Sequence, residues 1–480
     1  MKNFKFLQTD FYQLSMGFAY ILEGLNKETS GFEGFVRNIK NTVNPNLNFY
    51  VFDGENEINE YIATIREELK DPELIETFIK LVEPKITAPN KDELIDQFRK
   101  KWQTIDTDFE YSVVPNGSFV FPLVPVFQYK GDKLIGQMME THITNIYNGR
   151  TGLATIKYLR ENGMTNFVSG EEFIFLENLM NDDTEALAAY AKILEESAID
   201  FRNSTDKMLL EAAFRRAPSL KTANLASEIA LANGWNSTSN VSVALNGKYP
   251  IASVGGTMAH SWVMSFQTEE EAFKVWDKIF PGTSILIDTY DVINATKLVK
   301  KLIDNNEITK PQDLRIDSDP IEDYVDVINK TFDNKINSYI SGDVTIDKLK
   351  HFEFVKMPFS KTMIGTKYCY SSMIVEKLNC GFVYKLVQFK KDGKFIKPEK
   401  KANGKLNYSG LKNCIFDEAT NTLIVDCINS NNEIGFRNFD KILPTTTVKF
   451  TNIILTALIL INNIKFTYKG YDNDYKYYYE

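Results

Sequence analysis

A series of short apolar runs at near-regular intervals is the feature of this chain that most constrains its fold. The runs end, at intervals of 34, 29, 24 and 24 residues, at Val254, Asp288, Asp317, Ser341 and about Gly365. Each interval has room for one helix and its two loops, so the pattern predicts consecutive βα units. Near-continuous apolar runs such as 284–287 predict strands that are buried on both faces, which is typical of a parallel sheet. The predicted fold class is therefore α/β, as a barrel or a doubly wound sheet.

Each of these runs ends in small or polar residues, which read GGT, DT, DSD, SGD and IGT. In a parallel α/β sheet or barrel, ligands bind beyond the carboxyl ends of the strands. The sequence therefore predicts one site that is assembled from distant parts of the chain. The stretch 251–264 is central to it, because a predicted strand and a Gly-Gly turn lead into a helix that carries His260. The two glycines would let a ligand approach the backbone closely.

The character of the sequence changes twice along the chain. The first part combines a β-hairpin at 111–129 with a helix that begins at Phe11 and has Thr9 or Asp10 as its N-cap. Helical patterns then alternate with the apolar runs, and strand and turn patterns return near the end. We therefore predict an N-terminal α+β domain at 1–139, an α/β barrel domain at 140–370, and a C-terminal β-rich segment at 371–480 that folds back on the N-terminal domain.

Composition excludes several classes of protein. The 480 residues carry a net charge of −9, with 55 basic and 64 acidic side chains, which argues against a general nucleic-acid binder. The first residues lack the apolar core of a signal peptide, and the longest apolar run, 453–464, is too short to span a bilayer. The four cysteines show no C-x-x-C spacing, so zinc and a disulfide framework are not expected. We expect a cytoplasmic protein without a membrane or nucleic-acid partner.

Several short motifs carry a resemblance to a known family. They are TDFYQLSM (9–16), FEGFVR (32–37), FRRA (214–217), STSN (237–240), GTMAHSWVMSF (256–266), LIDTYD (286–291), LRIDS (314–318), SGD (341–343) and GTK (365–367). Through these motifs, in this order, residues 9 to about 390 resemble nicotinate phosphoribosyltransferase, a type II phosphoribosyltransferase of NAD salvage. GTMAHS and TDFYQLSM are the most specific part of the resemblance, and the sequence after about residue 430 adds nothing to it.

The resemblance implies an irregular α/β barrel packed against the N-terminal α+β domain, in a homodimer with sites near the subunit interface. It implies that nicotinate is joined to the ribose of 5-phosphoribosyl-1-pyrophosphate (PRPP), which yields nicotinate mononucleotide and pyrophosphate. ATP hydrolysis is coupled to this ligase-type reaction, and Mg²⁺ neutralises the departing pyrophosphate. Because the pyridine nitrogen itself attacks C1 of the ribose, the protein supplies positioning and electrostatics rather than a nucleophile.

The resemblance assigns the catalytic roles to His260, Asp288 and Asp317. His260 matches the family's phosphorylated histidine, which would take a phosphoryl group from ATP and lose it to water in each cycle. Neutral imidazole is nucleophilic near pH 7, so the residue type fits; a buried, hydrogen-bonded histidine is the structural alternative. Asp288 and Asp317 would face the ribose or Mg²⁺, with Asp317 as the metal ligand. Their alternative role is to cap the helices that follow them.

Four residues are expected to bind nicotinate. Arg315 is similar to the arginine that the family places on the nicotinate carboxylate, and a planar guanidinium matches a carboxylate in two-point geometry. A surface salt bridge is the alternative for this arginine. Arg215 would bind the carboxylate or the pyrophosphate, and Thr257 would donate a hydrogen bond to nicotinate. Tyr12 resembles the tyrosine that stacks on the pyridine ring, reaching into the site of a neighbouring subunit; core packing is its alternative.

A second set of residues is expected to bind the phosphate groups of PRPP. Backbone N–H groups at glycine turns and helix starts form anion sites, although such turns also occur without any ligand. The expected phosphate ligands are Arg216, Ser318, Ser341, Gly342, Gly365 and Thr366.

The sequence departs from the family pattern at two places. Asp319-Pro320 stands where the family has Gly-Asp, and Met363-Ile364 precedes Gly365 where the family commonly has another glycine. Proline removes a backbone donor, and the loss of glycine restricts close approach of the backbone. The alternatives are a nicotinamide phosphoribosyltransferase, which Arg315 and GTMAHS disfavour, and a catalytically degenerate relative that binds PRPP. An unrelated barrel enzyme with His260 as a metal ligand would need further histidines or cysteines nearby.

Overall fold

The computed structural model describes residues 1–27, 29–39, 47, 49–164, 166–391, 393–396, 410–417, 422–427 and 465–469. Its helices are α1 (Phe11–Leu22), α2 (Glu55–Glu68), α3 (Glu73–Val82), α4 (Lys91–Trp102), α5 (Lys133–Met138), α6 (Glu140–Glu161), α7 (Gly170–Met180), α8 (Thr184–Asn203), α9 (Leu220–Ala232), α10 (Ser242–Leu245), α11 (His260–Val263), α12 (Glu269–Ile279), α13 (Val292–Asp304), α14 (Ile321–Phe332), α15 (Ile346–Phe354), α16 (Thr366–Cys369) and α17 (Met373–Glu376). Its strands are β1 (Ser30–Val36), β2 (Tyr50–Val51), β3 (Glu110–Val113), β4 (Phe119–Val120), β5 (Phe127–Gly131), β6 (Met208–Glu211), β7 (Ser237–Thr238), β8 (Ile285–Leu286), β9 (Asp313–Ile316), β10 (Asn337–Ile340), β11 (Phe359–Ile364), β12 (Phe382–Lys391), β13 (Lys394–Ile396), β14 (Lys412–Asp417), β15 (Thr422–Cys427) and β16 (Lys465–Lys469). Short 3₁₀ turns lie at Lys5–Leu7, Glu83–Lys85 and Ile251–Ser253.

A six-stranded parallel sheet in the order β7-β6-β11-β10-β9-β8 carries the predicted βα units. Helices α13, α14 and α15 connect β8, β9, β10 and β11 in turn, and every residue of β9 is buried. Both faces of a parallel sheet are covered, so even the charged residues Asp313 and Arg315 of this strand are buried. The prediction of an α/β fold is confirmed.

Side-chain caps fix where the helices leave the loops that follow the strands. Asp291 accepts a hydrogen bond from the backbone N–H of Asn294 (2.7 Å) at the start of α13. The Thr345 hydroxyl accepts one from the N–H of Lys348 (3.1 Å) at the start of α15. Each cap satisfies an N–H that lacks a partner within the helix, so the loops at the strand ends have defined lengths and positions.

The stretch 251–264 differs from its prediction in one respect. Instead of a strand, Ile251–Ser253 forms a 3₁₀ turn, and Val254 makes a single parallel bridge with Thr238 at the edge of the sheet. The predicted strand is therefore wrong in extent, because Pro250 precedes the run and only one residue pairs. The helix predicted to carry His260 is present as α11.

A five-stranded antiparallel sheet in the order β13-β12-β1-β5-β3 joins two distant parts of the chain. In it, β1 pairs with β12, from Ser30–Phe389 to Val36–Phe382. The predicted hairpin exists as the antiparallel pair β3–β5, but β4 leaves it to pair with β2. The domain boundaries at 139 and 370 stay a prediction.

Helix α1 begins at Phe11, as predicted, and all twelve of its residues are buried. Its predicted side-chain cap is wrong, because the Asp10 carboxylate accepts hydrogen bonds from Ser239 (2.6 Å) and Thr141 (2.8 Å) instead. These two contacts tie the start of α1 to the loop after β7 and to α6. The TDFYQLSM motif is thereby held against the carboxyl ends of the parallel strands.

The described part of the segment after residue 371 contains strands β12 to β16, of which β14, β15 and β16 form a three-stranded sheet. Lys412, at the start of β14, pairs through its ammonium group with the buried Glu33 carboxylate of β1. The run at 453–464 and the tail at 470–480 lie outside the described residues. Among the helices that the structure describes, none has the length and apolar character needed to cross a bilayer.

Candidate active site

The carboxyl ends of the parallel strands open into a cavity of about 490 Å³. Most of the predicted site residues line it, namely Tyr12, Arg215, Arg216, His260, Arg315, Asp317, Ser318, Ser341, Gly342, Gly365 and Thr366. Thr257 and Asp288 lie behind this lining, where they contact Arg315 and Ser318 respectively. One part of the lining, the strand-end wall, consists of His260, Arg315, Asp317, Ser341 and Gly365, and we include in it Asp288, which lies directly behind Ser318. A second part of the lining, the sheet wall, comes from β1, β12 and the residue after β1, and consists of Phe32, Arg37, Tyr384 and Lys385.

His260 is the first residue of α11 and lies at the edge of the cavity, with 16% of its side chain exposed. Its Nδ1 atom is 3.1 Å from the hydroxyl of the buried Thr289. Its Nε2 atom faces two carboxylates, at 3.7 Å from Asp317 Oδ2 and 3.9 Å from Asp288 Oδ1. The imidazole is therefore oriented from both nitrogens, which a merely space-filling histidine would not require.

Asp288 is buried in the loop between β8 and α13, and it holds the neighbouring strand end in place. Its Oδ2 atom accepts hydrogen bonds from the Asp317 backbone N–H (3.0 Å) and from the Ser318 hydroxyl. Its Oδ1 atom is buried and has no hydrogen-bond partner, and it lies on the side of His260. A buried carboxylate oxygen without a donor is costly, so this atom is suited to a proton or cation at the His260 position.

The structure rules out the capping alternative for both aspartates. Asp291, not Asp288, caps α13, and the N-cap of α14 is Pro320, which makes no side-chain cap. Asp317 instead accepts a hydrogen bond from the Ser341 hydroxyl (3.2 Å). Both carboxylates are therefore directed to the cavity side of the strand ends.

The donor set suits Mg²⁺ only in part. Within the described residues, no three His, Cys, Asp or Glu side chains are grouped to hold a metal ion. Asp288 and Asp317 are nevertheless two carboxylates that converge on one point beside His260. Mg²⁺ is commonly bound by one or two carboxylates together with the phosphates of a ligand, so the pair fits an ion that arrives with a phosphorylated ligand.

Arg315, on β9, is a buried cation with 8% of its surface exposed. Its Nη1 atom donates a hydrogen bond to the Thr257 hydroxyl (3.3 Å), and its Nε atom has no partner. None of the ion pairs in the described part of the chain includes it, so the surface salt bridge considered from the sequence is wrong. A buried guanidinium with free donors is a binding position for an anion, because an unpaired buried charge is strongly unfavourable.

Arg215 differs from Arg315 in having a carboxylate partner. Its Nη1 atom donates to Glu140 Oε1 (2.9 Å) and to the hydroxyl of Tyr12 (3.2 Å). Burial acts to raise the pKa of Glu140, but the positive charges of Arg215 and Lys385 and hydrogen bonds to the carboxylate outweigh it, so this pKa is lowered. Tyr12 thus lines the cavity of its own chain, and its reach into a neighbouring subunit's site stays a prediction.

Three further cations line the cavity, two within the sheet wall and one, Arg216, outside it. Burial, together with the charges of Arg215 and Arg37, lowers the pKa of Arg216 to about 10, and its Nη1 atom donates to the Phe382 carbonyl. Burial and the nearby Arg37 lower the pKa of Lys385 to about 7. The Nε atom of Arg37 is buried without a partner, and burial lowers the pKa of this residue too. These groups form a concentration of positive charge that an anionic ligand would neutralise.

Sequence reasoning missed Arg37, Lys385 and Glu140 as site residues. Arg37 lies in the FEGFVR motif, which was recognised but given no role. Lys385 could have been noticed as a charged residue within the apolar run GFVYKLV of a predicted strand. Glu140 gave a weaker signal, since an acidic residue in the first turn of a helix is common on helix-dipole grounds alone.

The glycines of the predicted phosphate loops have a structural reason that is separate from any ligand. A Cβ atom at Gly342 would lie 2.9 Å from the Asp317 carbonyl oxygen, and one at Gly365 would lie 2.4 Å from that of Ala212. A Cβ atom at Gly256 would lie 2.7 Å from the backbone nitrogen of Tyr12. Gly256 therefore allows close approach of α1, and the approach of a ligand to the GGT turn stays a prediction.

Comparison with known proteins gives relatives of one name. No protein-family model matches the sequence. A Bacillus subtilis protein named nicotinate phosphoribosyltransferase is 24% identical over 400 residues, which cover 81% of this chain and 68% of that relative. A Caenorhabditis elegans protein of the same name is 27% identical over 267 residues, which cover 55% of this chain and only 37% of that relative.

The fold resembles that of a solved structure with the same name. The crystal structure of nicotinate phosphoribosyltransferase from Porphyromonas gingivalis superimposes with a TM-score of 0.53 at 16% identity, covering 85% of this chain and 96% of that one. At this identity the likeness concerns the fold alone. Sequence similarity over most of the chain, together with this shared fold, identifies the chain as a homologue of the proteins named nicotinate phosphoribosyltransferase.

Proposed function

We propose that this chain is a nicotinate phosphoribosyltransferase of NAD salvage, which forms nicotinate mononucleotide and pyrophosphate from nicotinate and PRPP. The observation that carries the proposal is Arg315, a buried guanidinium in the cavity that contacts no carboxylate among the described residues. A bound nicotinate carboxylate would supply the missing negative charge. The names of the relatives point to the same substrate.

The base subsite in this proposal combines Arg315 and Thr257 with Tyr12 and Arg215. The carboxylate accepts from Arg315, whose orientation is fixed by its hydrogen bond to Thr257. The pyridine ring packs against Tyr12, whose hydroxyl is held by Arg215. An uncharged nicotinamide would leave the Arg315 cation buried without a counter-charge, which is the physical reason to favour the acid.

The reaction proceeds by displacement at C1 of the ribose. The pyridine nitrogen forms the new bond to C1 as the bond from C1 to the pyrophosphate oxygen breaks, and the electron pair leaves with pyrophosphate. Arg37, Arg216 and Lys385, which line the cavity, would stabilise that developing charge. Ser318, Ser341, Gly342, Gly365 and Thr366 remain the proposed contacts for the 5′-phosphate. Mg²⁺ would arrive with PRPP, be held by Asp288 and Asp317, and neutralise phosphate charge.

ATP coupling in this proposal runs through His260. The γ-phosphoryl group is transferred from ATP to an imidazole nitrogen, ADP leaves, and water later releases inorganic phosphate. Support comes from the position of His260 at the cavity edge and from Thr289, Asp288 and Asp317 around its two nitrogens. A cytoplasmic location and a homodimer remain part of the proposal through the family resemblance.

A catalytically degenerate relative that binds PRPP is the second candidate, and Asp319 is the observation that favours it. This residue lines the cavity at the place where the family has glycine. Its carboxylate would bring negative charge toward the phosphates of PRPP. Binding of PRPP without turnover is the behaviour that this candidate predicts.

The test is to incubate the full chain with PRPP, Mg²⁺ and either nicotinate or nicotinamide, with and without ATP, and to detect the mononucleotide by mass. Nicotinate mononucleotide that increases with ATP is expected. If only the reaction with nicotinamide yields a mononucleotide, nicotinamide replaces nicotinate as the proposed substrate. Absence of product with either base, from folded protein that binds PRPP, would leave the degenerate relative as the better account.

The role of His260 needs its own experiment. Incubation with γ-labelled ATP is expected to give acid-labile, base-stable label on the wild-type protein and none on His260→Ala. His142→Ala is not a suitable control, because that histidine is buried and stacked on Tyr61. His351→Ala is suitable, since His351 is exposed and pairs with Glu322. Equal label on wild type and His260→Ala would remove the phosphohistidine from the proposal.

A further inference from the structure

A buried carboxylate, Glu140, lies among the positive charges of the cavity at the start of α6. Its Oε1 atom accepts from Arg215, and its Oε2 atom accepts from the side-chain amides of Gln13 (2.7 Å) and Gln137 (3.1 Å). Gln137 is in turn held by the Ser261 hydroxyl (2.8 Å), one residue after His260. Both oxygens are therefore saturated by donors, and the position of the carboxylate is fixed from three elements.

The ion pair between Glu140 and Arg215 determines the net charge that the base subsite presents to a ligand. Arg215 and Arg315 are the two arginines of the proposed base subsite, and within the part of the chain that the structure describes only Arg215 is neutralised by an ion pair. The lowered pKa of Glu140 keeps its carboxylate ionised at neutral pH. The subsite thus offers one uncompensated guanidinium, and a single carboxylate on the ligand balances it.

We propose that Glu140 is a specificity-determining residue, because it controls which ligand charge the base subsite accepts. Glu140 neutralises Arg215, so only the positive charge of Arg315 remains to bind a ligand carboxylate. The inference rests on the proposed function, since it concerns the same base subsite. It predicts that the site favours a pyridine monocarboxylate over both an uncharged pyridine amide and a pyridine dicarboxylate. Glu140 acts here through Arg215, so it is a positioning residue rather than a catalytic one.

Variants that change the net charge of the base subsite separate an electrostatic role of Glu140 from a structural one. Glu140→Gln leaves the subsite with one more uncompensated positive charge, and Arg215→Gln leaves it with one fewer. The double variant Glu140→Gln/Arg215→Gln restores the wild-type charge, and because it removes both partners of the buried pair it leaves neither unpaired. Gln137→Met removes one hydrogen bond from the same carboxylate without changing the charge and serves as the matched control.

The experiment measures equilibrium binding of nicotinamide, nicotinate and pyridine-2,3-dicarboxylate to the full chain and its variants by titration calorimetry. In Glu140→Gln, affinity relative to nicotinamide is expected to rise by about fivefold for nicotinate and about 25-fold for the dicarboxylate, from a Coulomb interaction at the subsite. In Arg215→Gln, the affinities of nicotinate and the dicarboxylate relative to nicotinamide are expected to fall. In the double variant and in Gln137→Met, these relative affinities are expected to stay near the wild-type values.

The ratios decide the question even where a variant binds all bases less tightly. A structural role alone would weaken the three bases by a common factor, so unchanged ratios in both Glu140→Gln and Arg215→Gln would overturn the inference. If Glu140→Gln does not fold, the opposite shift in Arg215→Gln and its reversal in the double variant carry the same test. A wild-type chain that binds none of the three bases would instead contradict the proposed function.

Discussion

The strand-end wall and the sheet wall line the same cavity but hold their polar groups in different ways. On the strand-end wall, Asp288 and Asp317 are bound by N–H and hydroxyl donors from neighbouring strand ends. On the sheet wall, Arg37 and Lys385 are cations whose pKa values are lowered by burial and by the positive charge of nearby arginines. One wall is organised without a ligand, whereas the other gains stabilisation when an anion is bound.

Arg315 is the exception on the strand-end wall, because it is a buried cation with unused donors. The largest effect is therefore expected from Arg315→Gln, which should weaken nicotinate binding by about 30-fold to several thousand-fold, equivalent to about 2–5 kcal/mol. Nicotinamide binding should change little. Calorimetric titration of both bases measures the effect, with the exposed Arg99→Gln as control. A similar loss for both bases would assign Arg315 to the fold rather than to carboxylate recognition.

A second prediction concerns the packing of the strand-end wall. Gly365→Ala should lower the free energy of unfolding by about 1–3 kcal/mol, because the new Cβ atom would meet the Ala212 carbonyl oxygen at 2.4 Å. Gly170→Ala is the control, since the nearest atom to a Cβ there is 3.9 Å away. Urea unfolding without ligand measures both. If Gly365→Ala keeps wild-type stability and loses only PRPP binding, the glycine serves the phosphate and not the packing.

The two walls also differ in how much of them the sequence predicts. The βα units, the helix that carries His260, and the convergence of Asp317, Ser341 and Gly365 follow from local patterns, because parallel strands bring their carboxyl ends to one edge. Arg37 and Lys385 come together only through the pairing of β1 with β12. That pairing joins residues more than 300 positions apart, and a local pattern contains no information on it.

The wrong prediction at Asp10 and the missed role of Glu140 also result from contacts between residues far apart in the sequence. Asp10 has the residue type of an N-cap, yet its carboxylate is taken by Ser239 and Thr141, which approach from other elements. Glu140 looks like an ordinary acidic residue of a first helical turn until Arg215 is seen beside it. In each case a distant donor competes with the local interaction and wins, because it satisfies a buried charge.

The sheet wall yields a prediction on pH. Below about pH 7 Lys385 is protonated, and as the pH rises through its pKa the positive charge is lost, so the Kd for PRPP should increase. Lys385→Met should weaken PRPP binding by about tenfold at pH 6 and should flatten the difference between pH 6 and pH 8. Lys300→Met, at an exposed ion pair, is the control that corrects for titration of PRPP itself. An unchanged pH profile in Lys385→Met would show that the sheet wall does not hold the anion through this residue.

The smallest effect is expected at Asp319, where the departure from the family pattern meets the strand-end wall. Its side chain is 71% exposed, and its ion pair with Lys348 spans 3.6 Å at the surface. Exposed pairs contribute about 0–1 kcal/mol, so Asp319→Ala should change PRPP affinity by no more than about fivefold, as should the control Asp326→Ala. Solvent screens a carboxylate at this exposure, so the departure should be tolerated. A gain of tenfold or more in PRPP binding or turnover on Asp319→Ala would mean that this carboxylate opposes the substrate, and the degenerate relative would then become the better account of the chain.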